Sequence, residues 1–266
     1  MKVFISADIE GTNGIADWDE TEYEKPRYAY FAAKMTDEVG AVCKGINRAD
    51  SASEIYVKDA HGSGRNLDHQ KLPRNVILNR GWARNPYSMM DGIDSSYDAS
   101  IFTGYHSAAG CNDNPLAHTM NGNIAYLKIN DRVASECLLN YYSSLYKGVP
   151  LVMITGDEGL CAAMKKVEPN LYSVVSLTGQ GTSVTSIHPD VMLERFEETA
   201  QIAVENRHKM SVALPREFKT EVCFYSHVTA SRAAYYPGAY AVSPRSVGYT
   251  TTDYFEFLRF FMFVNV

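Results

Sequence analysis

Two carboxylates directly follow the first apolar run of the chain, and they restrict what the chain can fold into. The segment VFISADIEG, residues 3–11, places Asp8 and Glu10 at the end of a predicted buried strand, beside a glycine turn. Burial of one carboxylate is costly, and burial of two close together is worse unless a positive group compensates them. The compensating group would be a basic side chain, a dense hydrogen-bond network or a metal ion.

The composition indicates a folded protein and excludes one class of partner. The chain has 266 residues, of which 45% are hydrophobic and 21% charged, and its formal net charge is −6. This length suffices for one large domain or two smaller ones with a packed core. Because an acidic chain lacks the electrostatic signature of nucleic-acid binding, we expect no nucleic-acid partner.

The apolar runs and the cysteines bear on the compartment. The apolar stretch before Asp8 is too short for a signal peptide, and stretches such as residues 151–154 and 260–264 are too short to span a bilayer. The five cysteines are scattered, odd in number and without C-x-x-C spacing. These features argue against a disulfide framework and a thiolate zinc site, and they predict a cytoplasmic protein with no membrane contact.

Strand-like and helix-like segments alternate along the first half of the chain, which predicts an α/β fold. We expect a mostly parallel sheet with helices on both faces, a Rossmann-like three-layer core over about residues 1–105 and 148–180, and a smaller α+β part from the remaining segments of one chain, 1–266. The predicted strands are residues 3–7, 54–58, 75–79, 99–104, 150–154 and 221–226. The predicted helices are residues 29–47, 159–167, 190–206 and 252–264.

Possible metal ligands follow several of these strands. In open α/β sheets, ligands bind beyond the carboxyl ends of the strands. Asp8 and Glu10 follow the first strand, Asp59 and His61 the second, and His106 the fourth. Carboxylate and imidazole together suit Zn, Mn, Fe, Co or Ni better than Mg or Ca. With Glu136 included, the set exceeds the needs of one tetrahedral zinc, and a two-metal site would use the surplus, although the residues alone leave the number of ions open.

Each of these residues taken alone has a simpler explanation, such as a helix cap, a surface salt bridge or a hydrogen-bonded loop. Only their coincidence at one sheet edge favours a metal site. Asp157 and Glu158 also follow a strand, but acids at a helix N-terminus are explained equally well by the helix dipole. We interpret the other histidines outside this edge as structural or solvent-exposed: His69, His188, His208 and His227.

Five spaced segments carry a more specific pattern: SADIEG (6–11), VKDAHGSGRN (57–66), FTGYHSAAG (102–110), AHTMNGNIAYLKINDRVASE (117–136) and VPLVMITGDE (149–158). In content and order they resemble the zinc-dependent D-aminopeptidase family, some members of which are also described as dipeptide-transport proteins. The resemblance covers about residues 1–160, extends more loosely through GQGTSVTSIHP (179–189), and is poor over the last sixty residues or so.

The resemblance implies two zinc ions per chain and names their ligands. Asp8 would bridge the two ions. Glu10 and His61 would complete the protein ligands of one ion, and His106 and Glu136 those of the other. Without the resemblance, Glu136 would pass for an ordinary helix acid.

The resemblance also implies a catalytic residue, His118, whose local sequence LAHTMNG carries no metal-binding pattern. Asp59, two residues before His61, is expected to support a ligand or to be a minor one, since carboxylates often orient liganding histidines. Members of the family resemble self-compartmentalising peptidases. The implied assembly is a homodecamer of stacked pentameric rings whose inner channel admits short peptides.

The implied activity is hydrolysis of short peptides from a free N-terminus, with a preference for N-terminal D-residues and a water activated by two zinc ions. Two alternatives stay open at this point. One is a metal-dependent L-aminopeptidase, dipeptidase or amidase on the same scaffold. The other is a non-enzymatic peptide-binding component of a transport system.

Overall fold

The computed structural model describes residues 1–265, whose strands form two sheets. The strands in chain order are β1 Lys2–Ala7, β2 Glu54–Asp59, β3 Val76–Asn79, β4 Ala99–Tyr105, β5 Ile124–Ile129, β6 Arg132–Val133, β7 Leu151–Asp157, β8 Tyr172–Gln180, β9 Ser183–Thr185, β10 Phe218–Phe224, β11 Tyr240–Ser243 and β12 Ser246–Thr251. The α-helices are α1 Tyr28–Ala49, α2 Glu136–Tyr146, α3 Glu158–Lys165, α4 Pro189–Glu205, α5 His227–Ala233 and α6 Tyr254–Val264. Within residues 1–265, no helix combines the length and the apolar character needed to cross a membrane.

The larger sheet has seven strands in the order β3-β2-β1-β4-β7-β8-β9. All neighbours pair in parallel except β9, which runs antiparallel to β8. The prediction of an α/β fold with a mostly parallel sheet is confirmed. The strand order runs outward in opposite directions from β1 and β4, so the crevice where such sheets bind ligands lies at the carboxyl ends of these two strands.

Both faces of this sheet are covered, as parallel sheets require. On β1, Val3 and Ile5 belong to the apolar cluster that includes Phe196 of α4 and the buried side of α1. Phe4, which points the other way, belongs to the cluster that contains the apolar residues of α2, α3 and α6. The helices on both faces match the prediction, and the alternation of side chains along β1 explains why a single strand serves two cores.

The second sheet has five strands in the order β11-β12-β10-β5-β6, all antiparallel. Its strands come from two stretches of the chain, residues 124–133 and 218–251, that lie on either side of β7 and α4. The sequence analysis predicted only β10 here, with bounds shifted by a few residues, and it did not predict α2, α5, β8 or β9. Strand β11 is exposed along its whole length, so it has no apolar alternation from which a strand could be predicted.

Two glycines allow the segment after β1 to run against the end of β4. Gly104 adopts a left-handed φ of 66°, and a Cβ there would collide with the backbone carbonyl of Asp8. A Cβ on Gly11 would collide with the carbonyl of Tyr105. The Asp8 N–H donates to Thr103 O at 2.8 Å, and the Gly11 N–H donates to Gly104 O at 2.8 Å. This close approach carries Asp8 and Glu10 to the residues that follow β4.

A buried carboxylate on α1 braces the same segment. Glu38 is 4% exposed, and its Oε1 accepts the backbone N–H of Asn13 at 2.8 Å. The Asn13 side chain donates in turn to the carbonyls of Ser176 and Ile187, at 3.1 and 3.2 Å. Burial raises the pKa of Glu38 to about 8, although the Asn13 N–H opposes the shift. Glu38 is thus a neutral acceptor over part of the physiological pH range.

The raised pKa of Glu38 predicts a pH-dependent stability that glutamine would remove. Because the folded-state pKa lies above the unfolded one, the folded chain holds the extra proton between about pH 4.5 and 8, and its stability falls as pH rises through that window. Glu38→Gln keeps an acceptor for Asn13 and never ionises. We expect it to match the wild type near pH 4 and to exceed its free energy of unfolding by up to about 4 kcal/mol at pH 9.

Urea denaturation at both pH values measures this difference. Glu194→Gln, at an exposed position of α4, is the matched control and should change neither value by more than a few tenths of a kcal/mol. An equal effect of Glu38→Gln at pH 4 and pH 9 would contradict the assignment.

Candidate metal centre

Five side chains from four segments meet at the crevice between β1 and β4. Asp8 and Glu10 follow β1, His61 follows β2 and His106 follows β4, as the sequence predicted. Glu136 arrives from the opposite side as the first residue of α2, whose N-cap, Ser135, accepts the Leu138 N–H at 3.3 Å. Asp8, Glu10, His106 and Glu136 are all buried, and the His61 side chain is 12% exposed.

Asp8 occupies the middle of this arrangement. Its Oδ1 lies 3.4 Å from His61 Nδ1, and its Oδ2 lies 3.6 Å from His106 Nε2. On the first side, Glu10 Oε2 lies 3.0 Å from His61 Nδ1. On the second side, Glu136 Oε1 lies 3.5 Å from His106 Nε2. Each oxygen of Asp8 therefore faces a different histidine–carboxylate pair.

Three overlapping groups have donor atoms within 4.8 Å of one another. They are Asp8, Glu10 and His61; Asp8, His106 and Glu136; and Glu10, His106 and His118. The first two share Asp8, and the third brings His118 next to the same set. His118 Nε2 is 3.3 Å from Glu136 Oε1, and its ring stacks on that of His106 with centroids 4.3 Å apart.

Backbone carbonyls orient all three imidazoles. His61 Nε2 lies 3.0 Å from Thr21 O, His106 Nδ1 lies 2.9 Å from Ser107 O, and His118 Nδ1 lies 2.8 Å from Leu116 O. A ring nitrogen that faces a carbonyl carries the hydrogen, so in the neutral tautomer the other nitrogen presents its lone pair. In each case that other nitrogen faces the carboxylates. This is the orientation that a metal-binding histidine needs.

Asp59 lies outside these groups and does not contact the His61 ring. Its carboxylate accepts the backbone N–H of Asn66 and of Leu67, at 2.6 and 2.8 Å, and the Asn66 side-chain amide at 2.6 Å. Asn66 Nδ2 also donates to His61 O at 2.8 Å. Asp59 therefore shapes the loop that carries His61, whereas the carbonyl of Thr21 orients the ring.

The buried charges strongly perturb one another. Burial, and then the charge of Glu10, raise the pKa of Asp8 well above its usual value. Burial of Glu10 also favours a higher pKa, but the charge of His61 outweighs it and lowers that pKa well below the usual range. Burial disfavours a charged His106, yet Glu136 and the other carboxylates raise its pKa to about 10. The three carboxylates are thus stable together only beside positive charge.

Among the described residues, three donor atoms of the centre lack hydrogen-bond partners, as do the hydroxyls of Thr12, Ser63 and Thr103, whereas Glu136 Oε1 accepts the Met120 N–H at 2.7 Å. Within residues 1–265, Asp8 Oδ2, Glu10 Oε2 and His106 Nε2 are buried and make no hydrogen bond of normal geometry. Such atoms are rare in folded proteins and require an explanation. A divalent cation satisfies carboxylate and imidazole donors together, and a carboxylate–imidazole set without thiolates fits zinc or a neighbouring transition metal.

A cavity of about 630 Å³ opens in front of the centre. It lies within the size range of small-molecule sites. The wall includes residues that the sequence analysis did not single out: Trp18, Trp82, Arg84, Met120, Asn121, Phe261 and Met262. These side chains come from loops and from α6, and no local sequence pattern marks them as facing a site.

The remaining polar residues considered from the sequence lie elsewhere. The other histidines (His69, His188, His208 and His227) are exposed, and His188 caps α4 by accepting the Asp190 N–H at 3.3 Å. Asp157 is the buried N-cap of α3 and also accepts the Ser107 N–H at 2.6 Å. Asp157 therefore supports the loop that follows His106, and its explanation as a helix cap is correct.

The sequence and the structure of this chain are similar to those of known proteins. The model of a family described as D-aminopeptidase matches residues 1–263, which extends the likeness through the last sixty residues or so, where the sequence analysis found it poor. A D-aminopeptidase of Bacillus subtilis strain 168 is 28% identical over 217 residues, or 81% of this chain and 78% of the relative. The structure is similar to that of the Zn-dependent D-aminopeptidase DppA from Bacillus subtilis, a self-compartmentalizing protease. The TM-score is 0.93 at 25% identity, over 100% of this chain and 97% of the other.

Because Asp8 belongs to two of the donor groups, the arrangement predicts the metal content. We expect protein purified without chelators to hold about two transition-metal ions per chain, measured by elemental analysis. Asp8→Asn should lose both ions, because one oxygen of Asp8 faces each group. Glu136→Gln should lose one, because Glu136 belongs to one of the two groups that share Asp8. Retention of both ions by Asp8→Asn would contradict the arrangement.

Proposed function

The chain belongs to the D-aminopeptidase family, and from this premise we propose that it removes N-terminal residues, preferentially those of D configuration, from short peptides, with two zinc ions and His118 as the catalytic residue. Family membership makes the chain a metal-dependent aminopeptidase. It thereby decides against a non-enzymatic peptide-binding component of a transport system.

One observation carries the two-zinc part of the proposal. Asp8 presents its two oxygens to two separate histidine–carboxylate pairs, and one of those oxygens has no hydrogen-bond partner within residues 1–265. We assign Asp8 as the bridging ligand. Glu10 and His61 would hold one ion, and His106 and Glu136 the other. Asp59 would stabilise the loop that carries His61 through its hydrogen bonds.

The assignment of these ligands determines what the metal ions and the protein would each contribute to the reaction. When bound, two zinc ions would polarise the scissile carbonyl and lower the pKa of a water molecule. The carboxylates of Asp8, Glu10 and Glu136 would offset most of the positive charge of the two bound ions. The indole of Trp18, edge-on to His118 with centroids 5.2 Å apart, limits the access of bulk water to that ring.

His118 is suited to move a proton at the cavity wall. Its Nδ1 faces Leu116 O at 2.8 Å, which leaves Nε2 free to take or deliver a proton on the site side. Its side chain is 14% exposed, whereas that of His106 is fully buried, so His118 is the histidine of this stacked pair that a substrate can reach. We assign His118 the transfer of a proton to the amine that leaves.

We also propose that the chain assembles into a homodecamer of stacked pentameric rings that works in the cytoplasm. The self-compartmentalizing relative supports a chamber. Large apolar side chains lie exposed around α5: Tyr225, Val228 and Tyr235 are 63%, 65% and 87% exposed. Such a patch favours an interface between subunits. All five cysteines are free, which suits a reducing compartment. Light scattering measures the mass, and a monomer would overturn the assembly.

The role of His118 predicts a separation of metal binding from turnover. We expect His118→Ala to keep its two ions and to lose about 10²- to 10⁴-fold in kcat, the range typical of a general acid or base. His69→Ala, at an exposed position of the short 3-10 helix His69–Lys71 after β2, is the control and should retain full activity. Loss of metal from His118→Ala would instead make His118 a ligand, as its place in the third group of donors allows.

Substrate comparison tests the activity and the stereochemistry separately. D-Ala-Gly, L-Ala-Gly and N-acetyl-D-Ala-Gly differ only at the residue that would face the centre. We expect D-Ala-Gly to give the highest kcat/KM and the acetylated peptide to be inert, because acetylation removes the amine. Equal cleavage of the acetylated peptide would overturn the aminopeptidase activity. A preference for L-Ala-Gly would overturn only the D-preference and would favour the L-aminopeptidase alternative.

A further inference from the structure

The cavity in front of the metal centre carries one permanently cationic side chain, that of Arg84. Among the described residues that line it, the other charged or titratable side chains are two histidines and the four carboxylates of Asp8, Glu10, Asp91 and Glu136. A guanidinium stays protonated at every physiological pH. Besides the groups of the metal centre and Asp91, the cavity lining therefore carries one fixed positive charge.

The segment that carries Arg84 is held in place by contacts on both sides. The Trp82 indole N–H donates to Gly62 O at 2.8 Å, next to His61. The buried Lys58 ammonium donates to Gly81 O and lies 4.5 Å from the centroid of the Trp82 ring. This stretch is thus anchored to the same β2 loop that positions His61.

Both oxygens of the acidic neighbour on this wall, Asp91, already accept hydrogen bonds. Asp91 Oδ1 accepts the Asn85 amide at 2.5 Å, and its Oδ2 accepts the Asn79 amide at 3.1 Å. The ion pairs that arginines form within residues 1–265 involve Arg27, Arg48 and Arg259, and Arg84 makes none. The guanidinium is therefore available to an external anion.

The backbone of Arg84 is also unusual. Its φ is 58°, in the left-handed region that glycine adopts without cost and that a side chain disfavours. Strained positions of this kind collect at binding sites, where the surrounding structure holds them. Here the strain places an exposed, long cationic side chain at the edge of the cavity.

From these observations we propose that Arg84 binds the C-terminal carboxylate of the peptide substrate, in an inference that rests on the proposed aminopeptidase function. A carboxylate matches the fork of a guanidinium and forms paired charge-assisted hydrogen bonds with it. A short peptide whose N-terminal end lies at the metal centre would then place its C-terminal carboxylate at Arg84, which lines the same cavity. The cavity would thus favour short peptides with a free C-terminal carboxylate over the corresponding amides.

The test compares D-Ala-Gly with its C-terminal amide, which lacks only the negative charge. We expect Arg84→Gln to lower kcat/KM for the free acid about 10- to 100-fold, mainly through KM, as for the loss of a hydrogen bond to a charged group. Cleavage of the amide should change less than about threefold. Arg84→Lys should retain part of the preference, because it keeps the charge but not the fork.

Two further variants make the result decisive. Arg84→Gly removes the side chain at a φ that glycine favours, so a loss like that of Arg84→Gln, with unchanged metal content, cannot come from backbone strain. Arg74→Ala, at an exposed arginine outside the cavity, should leave both substrates unaffected. An unchanged acid-to-amide ratio in Arg84→Gln would overturn this inference alone. A wild-type protein that cleaves neither peptide would overturn the proposed function and the inference with it.

Discussion

Mutual repulsion among buried carboxylates is the constraint around which this structure is organised. Asp8, Glu10 and Glu136 are each at most 3% exposed and come together in one crevice. Burial alone would disfavour their ionised forms, and their proximity adds to that cost. Imidazoles lie on either side of Asp8, and several donor atoms have no hydrogen-bond partner and can therefore bind cations.

The strand order supplies the crevice, and two close backbone contacts make it narrow. Because the sheet extends outward in opposite directions from β1 and β4, the loops that follow these strands diverge to opposite faces. Gly11 and Gly104 then allow the segment after β1 to lie against the end of β4 with no side chain between them. Helix α2 closes the crevice from the other side with Glu136. The candidate metal centre therefore lies between the carboxyl edge of the large sheet and the start of α2, which explains why its proposed ligands are far apart in sequence.

The sequence predicted best what depends on local pattern. Strand β1 and the placement of Asp8, Glu10, His61 and His106 at one edge follow from apolar runs and from the geometry of parallel sheets. Glu136 could not be deduced this way, because an acid at the first turn of a helix is common and its approach depends on the packing of the second sheet. That sheet pairs β10 with β5, about ninety residues earlier, and such pairing leaves no local signal.

The cavity wall was beyond prediction for a related reason. Trp18 lies on a short 3-10 helix, and Arg84 lies on an irregular segment that a hydrogen bond from the Trp82 indole to Gly62 O helps to anchor. His118 differs again, since the resemblance to a family pointed to it while its own sequence did not. Its ring is turned toward Glu136 by a carbonyl only two residues earlier, a detail of local geometry that composition does not encode.

Satisfaction of hydrogen bonds separates the buried carboxylates that build this fold from those that await an ion. Asp59 accepts three hydrogen bonds, and Asp157 accepts from Ser107, Asn114 and Leu160. N–H and O–H groups stabilise the charge of Asp59 and Asp157, and each of these carboxylates holds a loop in place. Asp8 and Glu10 are as deeply buried, yet each keeps an oxygen without a partner among residues 1–265. Because an unpaired buried oxygen costs stability, its retention at the carboxyl edge of the sheet is best explained by a positive ligand that the folded chain is shaped to receive.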